Sequence, residues 1–463
     1  MNAFLRRKSI QKLQQEGETS SGLKRVLNLW QLSAIGLGGI IGVGIFVLTG
    51  QAAAHQAGPA VVLSFIIAGL ASAAAALCYA EFAGLIPVAG SAYTYSYAVL
   101  GEGAAWLIGW DLLLEYTLVV ATVAIGWSGY MQALLKQIGL AIPAWAQGAP
   151  GTGDGHMVDL VAVLVSLAIA ALLTRGMETG AKFNSAMVVI KLAVIIVVIA
   201  VGAFHINTAN WNPFMPFGFQ GVMGGAALVF FAVFGYDTLT TAAEEAKNPQ
   251  RDLPRAVVIS LGCALVLYIG MSLVITGMAH YKTLGNPAPV AAAFESAGLK
   301  WMTILISAAA VAGILSVLFS FMLAGSRIWF AMGRDGLLPK WFTKVHPKYK
   351  TPYRPTVIIG IITAAVSGFT PINEVAELVN IGTLSAFVLI CSSIIVLRVK
   401  QPKLERKFRT PWVPFIPVVG ILFSLYLIIS LPPITWIRFV IWMVIGMIIY
   451  WFYGRRKSNL ARE

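Results

Sequence analysis

An all-α polytopic membrane protein of twelve spans is the fold class this sequence predicts. Three observations predict it. Apolar runs recur along all 463 residues, and 58% of the chain is hydrophobic. Only 11% is charged, where a soluble domain carries about 25%. The basic residues collect in alternate connections between the apolar runs, with net charge +14. No polar stretch is long enough to be a separate domain, which excludes a soluble enzyme on an anchor.

The spans fall at about 28–50, 59–87, 98–135, 157–174, 184–204, 220–242, 256–279, 299–333, 355–370, 375–398, 412–431 and 435–453. Several exceed the roughly 20 residues a crossing needs, so those helices tilt or extend beyond the bilayer. The N-terminal 25 residues or so are polar and basic, with no cleavable leader pattern. Domain organisation follows: a cytoplasmic segment 1–27, a first repeat 28–204, a second repeat 220–398, two further helices over 412–453, and a tail 454–463.

Orientation comes from charge. With the N-terminus cytoplasmic, Arg6, Arg7, Lys8, Lys12, Lys24 and Arg25 lie inside. So do Arg175 and Lys182, the group Lys247, Arg251 and Arg255, and the clusters Arg327–Arg354, Arg398–Arg409 and Arg455–Arg462. Of 33 Lys and Arg residues only Lys136, Lys282, Lys300 and Arg438 fall outside, and Lys191 lies mid-membrane. This is the positive-inside asymmetry. It favours an even span count, both termini cytoplasmic, and a bilayer rather than nucleic acid as the partner of the charge. Cys78, Cys263 and Cys391 sit in apolar spans, and the five histidines are scattered. Neither pattern suggests a metal or disulfide framework.

Two spans are interrupted. Span 1 carries Gly36, Gly38, Gly39, Gly42 and Gly44 within nine residues. Alone, that run fits close helix packing as well as a break. Span 6 carries Gly235 among aromatics, with Asp237 following. Spans 1 and 6 are five apart, and matching interruptions in two five-helix halves point to a transporter built from an inverted repeat. In such a site half-helix N–H groups attract a carboxylate, and unwound carbonyls accept from an amine. A ligand with both groups is an amino acid.

At these residues the chain resembles the amino acid–polyamine–organocation superfamily, and within it the bacterial cationic amino acid transporter-like permeases. The resemblance runs from about residue 24 to about 455. It rests on Ile41-Gly-Val-Gly-Ile-Phe46, Cys78-Tyr-Ala-Glu-Phe82, Pro87-Val-Ala-Gly-Ser-Ala-Tyr-Thr-Tyr95, Gly109-Trp-Asp-Leu-Leu-Leu-Glu-Tyr116, Phe230-Phe-Ala-Val-Phe-Gly-Tyr-Asp237 and Met332-Gly-Arg-Asp-Gly-Leu-Leu-Pro339. It implies a five-plus-five inverted repeat with discontinuous helices 1 and 6, followed by two helices. It implies that N–H groups of Val43, Gly44 and Ile45 hold the substrate carboxylate. Carbonyls near Ile40, Phe231, Ala232 and Phe234 would take the α-ammonium, and Phe231 would close over the ligand. Relatives with lysine at the position of Lys191 resemble sodium-coupled members in which a cation fills that space; the ammonium would bridge spans 1 and 8, with Ser316 its partner. Val43 stands where many relatives have Ser or Thr, and Val233 where many have Tyr. The loop at 136–157 lacks the cysteine by which related light chains hold a heavy subunit, so no such partner is expected. A monomer is expected.

The buried charges leave alternatives. Lys191 lies inside the apolar run 186–200. A lone ammonium at that depth is costly and persists with partners or by shedding its proton. It is either a proton carrier linking spans 1 and 8 or one half of a fixed ion pair. Glu115 is either a helix-packing carboxylate or a pocket acid for the ligand's amine. Asp111 reads as structural, Asp237 as a backbone cap in span 6, and Glu81 as structural or part of an inner gate. Glu244 and Glu245 are expected to pair with Arg255 or Arg327, or to lie solvated.

The leading expectation is proton-coupled amino acid uptake by alternating access at the cell membrane. Its range would cover neutral L-amino acids and extend to cationic ones, with no cofactor and no sodium. A sodium-independent exchanger or polyamine antiporter is the alternative within the fold. A channel is the alternative from another class. A membrane-embedded enzyme would need a cluster of His, Asp or Cys at depth, which the sequence lacks.

Overall fold

A computed structural model describes residues 4, 6–11, 13–14, 23–137, 139–230, 232–285, 288–429, 431 and 433–461. Helices dominate, and no strand occurs among the described residues. In order they are α1 (Leu29–Ile40), α2 (Val61–Leu85), α3 (Ala92–Val99), α4 (Glu102–Gln137), α5 (Leu160–Thr174), α6 (Met177–Ala203) and α7 (Gly218–Phe230). Then come α8 (Pro249–Met278), α9 (Pro289–Ser296), α10 (Lys300–Arg334), α11 (Tyr353–Phe369), α12 (Ile372–Lys400), α13 (Phe415–Ile429) and α14 (Pro433–Ile449). Seven helical runs are long and apolar enough to cross a membrane, and five shorter apolar helices accompany them.

Local chemistry sets the boundaries. Asn28 and Gln31 form a reciprocal cap at the start of α1, each side chain accepting from the other's backbone N–H at 3.0 and 3.1 Å. Span 1 does not stop at residue 50. After a break at Ile41–Gly42 it continues as a mixed α- and π-helical segment to Ala57, where Gly58 (φ +63°) and Pro59 turn the chain into α2. The third span starts later than residue 98. Residues 92–99 form the separate helix α3, Gly101 (φ +120°) reverses direction, and α4 begins at Glu102 with its acid in the first turn.

The helices pack in a regular pairing: α2 on α8, α4 on α10, α5 on α11, and α1 on the 3₁₀ helix Tyr236–Glu245 that follows α7. The outward faces of α6 and α14 stay apolar and exposed, with Val189, Ile196, Ile437, Ile441 and Ile448 among them. Such faces suit lipid.

Tryptophans attach the last helix to α4. Trp110 Nε1 donates to Trp442 O at 3.0 Å, and Trp442 Nε1 donates back to Trp110 O at 3.2 Å. The two rings stack with centroids 4.5 Å apart. One turn away Trp106 Nε1 donates to Gly446 O at 2.9 Å. Each indole thus buries its ring and satisfies its N–H inside an apolar contact.

Candidate functional site

Both interrupted spans lose their helix at the same place in space. Ile41 ends α1 in an extended conformation (φ −84°, ψ 107°). Beyond α7, Gly235 adopts φ +113°, a conformation side chains rarely take, and the 3₁₀ helix starts after it. There the two backbones touch. A Cβ on Gly39 would stand 2.7 Å from Gly235 O, and a Cβ on Gly235 would stand 2.8 Å from Gly39 C and O. A Cβ on Gly44 would stand 2.4 Å from Ala232 Cβ. Glycine is what lets the segments meet.

The meeting point exposes opposite backbone polarities. The first N–H groups of the helical segment from Val43 have no partner within their own helix. The carbonyls left by the breaks are shared out among neighbours. Tyr268 Oη, from α8, lies 3.0 Å from Ile40 O and 2.9 Å from Ala232 O, donating one proton between them. Ser72 Oγ donates to Val233 O at 2.8 Å, and Thr238 Oγ1 to Gly235 O at 2.6 Å.

A cavity of about 30 Å³ lies here, lined by Gly39, Ile40, Gly42, Val43, Gly44, Val119, Val123, Ala232, Phe234, Val317 and Phe321. That is room for about two waters, so the breaks are closed upon one another. Its side-chain walls, from α4 and α10, are apolar. Val43, Gly44, Ile40, Ala232 and Phe234 all belong to this junction, and Ile45 is buried beside it. Phe231 lies outside the described residues.

Lys191, fully buried on α6, sits on the other side of the first break. Nζ donates to Ile41 O at 2.5 Å, Leu37 O at 3.1 Å, Gly38 O at 3.3 Å and Ser316 Oγ at 2.6 Å. No carboxylate is among these partners. One ammonium therefore ties α6 to the frayed end of α1 and to α10. Asn184 Nδ2 and Ser320 Oγ extend the same seam, reaching Ala34 O at 3.1 Å and Ile35 O at 2.9 Å.

Glu115 does not line the cavity; Val119, one turn on, does. Its Oε1 accepts from Thr383 Oγ1 of α12 at 2.6 Å. Asp237 accepts from the Tyr116 hydroxyl. Glu115 Oε2, Asp237 Oδ1 and both oxygens of Asp111 have no hydrogen-bond partner among the described residues. No group of His, Cys, Asp and Glu that could hold a metal occurs there either.

The side of the junction that faces the basic clusters is held by ion pairs. Arg327 and Glu245 are both buried and make two contacts, at 2.7 and 3.2 Å. Arg334 takes Glu244 at 2.8 Å; Arg255 takes neither acid. Glu81 receives Arg398 through two nitrogens, at 3.1 and 2.8 Å, with Arg406 Nε 3.0 Å away. Lys8 Nζ reaches Asp335 at 2.5 Å. Glu245 O accepts from both Val26 and Leu27 N–H at 2.9 Å, stitching the segment before α1 to the end of the 3₁₀ helix.

Sequence reasoning missed Tyr268, Tyr116 and Thr383. The signal for Tyr268 was present: a hydroxyl within the apolar stretch of span 7 must find a partner. Which partner was not readable.

These features define a multi-pass membrane protein with a polar backbone junction at the heart of its helices. The family model described as amino acid permease matches residues 27–452. The chain belongs to the amino acid permease family, within the amino acid–polyamine–organocation superfamily. It is therefore a transporter, not an enzyme. It is 45% identical over 462 residues to the methylthioribose transporter of Bacillus subtilis, covering 100% of both chains. It is 46% identical to the branched-chain amino acid permease BcaP of the same organism, covering 99% of each. Human cationic amino acid transporter 4 is 36% identical over 84% of this chain and 62% of its own.

Proposed function

We propose that this chain is a proton-coupled amino acid symporter of the cell membrane. It works by alternating access, as a monomer, with both termini cytoplasmic and no sodium involved. The observation that carries this reading is the junction of the two broken helices. In this reading the N–H groups of Val43, Gly44 and Ile45 hold the substrate carboxylate and the carbonyls of Ile40, Ala232 and Phe234 take its ammonium, with Lys191 bonded to Ile41 O behind the first break. The N–H groups suit a carboxylate and the carbonyls an ammonium. The reading assigns Phe231 to closure over the ligand. The seven long and five shorter apolar helices support twelve spans. The pairing of α1 with the 3₁₀ helix, α2 with α8, α4 with α10 and α5 with α11 supports two five-helix repeats.

Proton coupling would act through Lys191 and Ser316. Protonated, the ammonium links α6, α1 and α10; neutral, it offers fewer donors and lets α1 leave. That is a two-state element biased by one proton. The walls around the junction favour neutral, apolar side chains. A cationic side chain would need an acid there, and Glu115 stands behind the wall. The names of the relatives span branched-chain amino acids, cationic amino acids and methylthioribose, so the substrate panel must include all three classes.

The test is uptake of radiolabelled alanine, leucine, arginine and methylthioribose into proteoliposomes under an inward proton gradient, a sodium gradient, or neither. Concentrative uptake of a neutral amino acid with the proton gradient alone is expected. Lys191→Ala should lose that uptake while keeping ligand binding or exchange. Uptake only into preloaded vesicles would favour the exchanger reading and remove Lys191 from coupling. Unsaturable currents would favour a channel.

A further inference from the structure

We propose that the cytoplasmic face carries a binding site for a phosphate-bearing group, separate from the transport junction. A cavity of about 380 Å³ opens beside the ion-paired floor, between the segment before α1, the linker into α8 and the loop between α12 and α13. Arg25, Lys247, Arg251 and Lys407 line it. No acid does so among the described residues, and Arg251 lies 3.8 Å from the carboxylate of its own neighbour Asp252. The second feature is the start of α8, a helix of 30 residues that begins in the cavity wall. The Asn248 side chain does not cap it, and Pro249 brings no N–H. The Gln250 N–H faces no intrahelical acceptor, and the helix dipole adds to the four cations.

Positive charge that only orients a membrane protein needs neither a concavity nor convergence. Here four cations arrive from three separate segments at one hollow with a helix start in its wall. A phosphate's three acceptor oxygens match that donor set. Occupancy also has a mechanical meaning. Lys247 N–H donates to Leu27 O at 2.8 Å, so Arg25 and Lys247 flank the point where the segment before α1 is pinned. A phosphate between them clamps that segment to the linker and holds the cytoplasmic side shut.

The chemistry is shared by a soluble phosphate and a phospholipid headgroup, and the test separates them. The thermal midpoint of the full-length protein in detergent is measured against inorganic pyrophosphate, with potassium chloride at equal ionic strength as control. The same measurement is made with added phosphatidylglycerol and with phosphatidylcholine. Stabilisation by pyrophosphate marks a soluble ligand; stabilisation by phosphatidylglycerol alone marks a lipid. In either case the concentration needed should rise about fivefold for each cation removed in the series Lys407→Gln, Lys247→Gln/Lys407→Gln and Lys247→Gln/Arg251→Gln/Lys407→Gln. If the triple variant fails to fold, the exposed Lys407→Gln alone carries the comparison. The proposal is overturned if neither probe exceeds its control, or if the variants respond as the wild type does. Since the readout is binding, a failure here leaves the transport reading untouched.

Discussion

Tyr268 has one proton to offer and two buried carbonyls within reach, Ile40 O and Ala232 O. Both lie in the backbone set to which the substrate's ammonium is assigned. The hydroxyl thus serves those carbonyls in the closed junction, and in the proposed reading an arriving ammonium competes with it or shares them. Tyr268→Phe keeps the ring, which stacks on Phe65 at 4.9 Å, and removes only the donor. Leaving buried acceptors unmade costs roughly 1–3 kcal/mol. The thermal midpoint of the ligand-free variant should therefore fall. A transported amino acid should then raise it by more than in the wild type, since the ammonium restores what was lost. An equal ligand-induced shift in both proteins would assign Tyr268 to packing alone. Lys191 shows the same economy of partners. Its nearest acceptors are Ile41 O and Ser316 Oγ, and the alternative of a fixed ion pair finds no acid at its ammonium.

The two broken helices were legible as elements because glycine marks them twice at matching places. What the sequence left open was which glycine does what. A Cβ on Gly38 would stand 2.7 Å from Ser320 Oγ and one on Gly42 2.6 Å from Val317 Cγ2, so these two admit close packing by α10. Gly39, Gly44 and Gly235 instead let the two breaks touch each other. Periodicity along one helix cannot separate these roles, because each depends on what the neighbouring span presents. Gly44→Val tests the assignment. Overpacking costs roughly 1–3 kcal/mol, and the added side chain must push Ala232 away. Amino acid binding, read by scintillation proximity, should disappear while the folded protein is still recovered. Gly262→Ala is the control, because a Cβ there meets nothing within 4 Å; binding should be unchanged. Retained binding in Gly44→Val would reduce the glycine run to a packing device.

At the scale of the whole molecule, the floor beneath the junction joins several segments through buried ion pairs. Glu245 joins Arg327 through its side chain and the segment before α1 through its carbonyl. The alternating access proposed above would require this floor to open. Removing one partner of a buried pair costs about 3–5 kcal/mol, enough to shift a two-state equilibrium by a factor of more than about 100. Glu245→Gln should therefore raise hydrogen–deuterium exchange across residues 24–40 selectively, with α5 and α11 keeping wild-type rates. Uniform acceleration everywhere would mean that the pair serves folding and not gating. The class of this floor was readable from charge: acids at the ends of spans 2 and 6, and basic clusters on the same side. Of the partners, Arg327 was among those expected and does take Glu245, whereas Arg334 was not foreseen, because Arg334 and Arg327 lie two turns apart on one helix and both could reach span 6. Only packing decides which takes Glu244 and which Glu245.

The tryptophan clasp has a consequence in the order of synthesis. Trp106 and Trp110 are made early, yet their indole acceptors, Gly446 O and Trp442 O, lie 340 and 332 residues later. Until residues 433–449 have been made, α4 has no α14 to lie against. Yet α4 carries Val119 and Val123, two of the walls of the junction between the broken helices. The central helix of the molecule is therefore among the last to reach its final surroundings. A chain stopped before residue 433 would hold every residue of the junction and still leave the outer flank of its supporting helix bare.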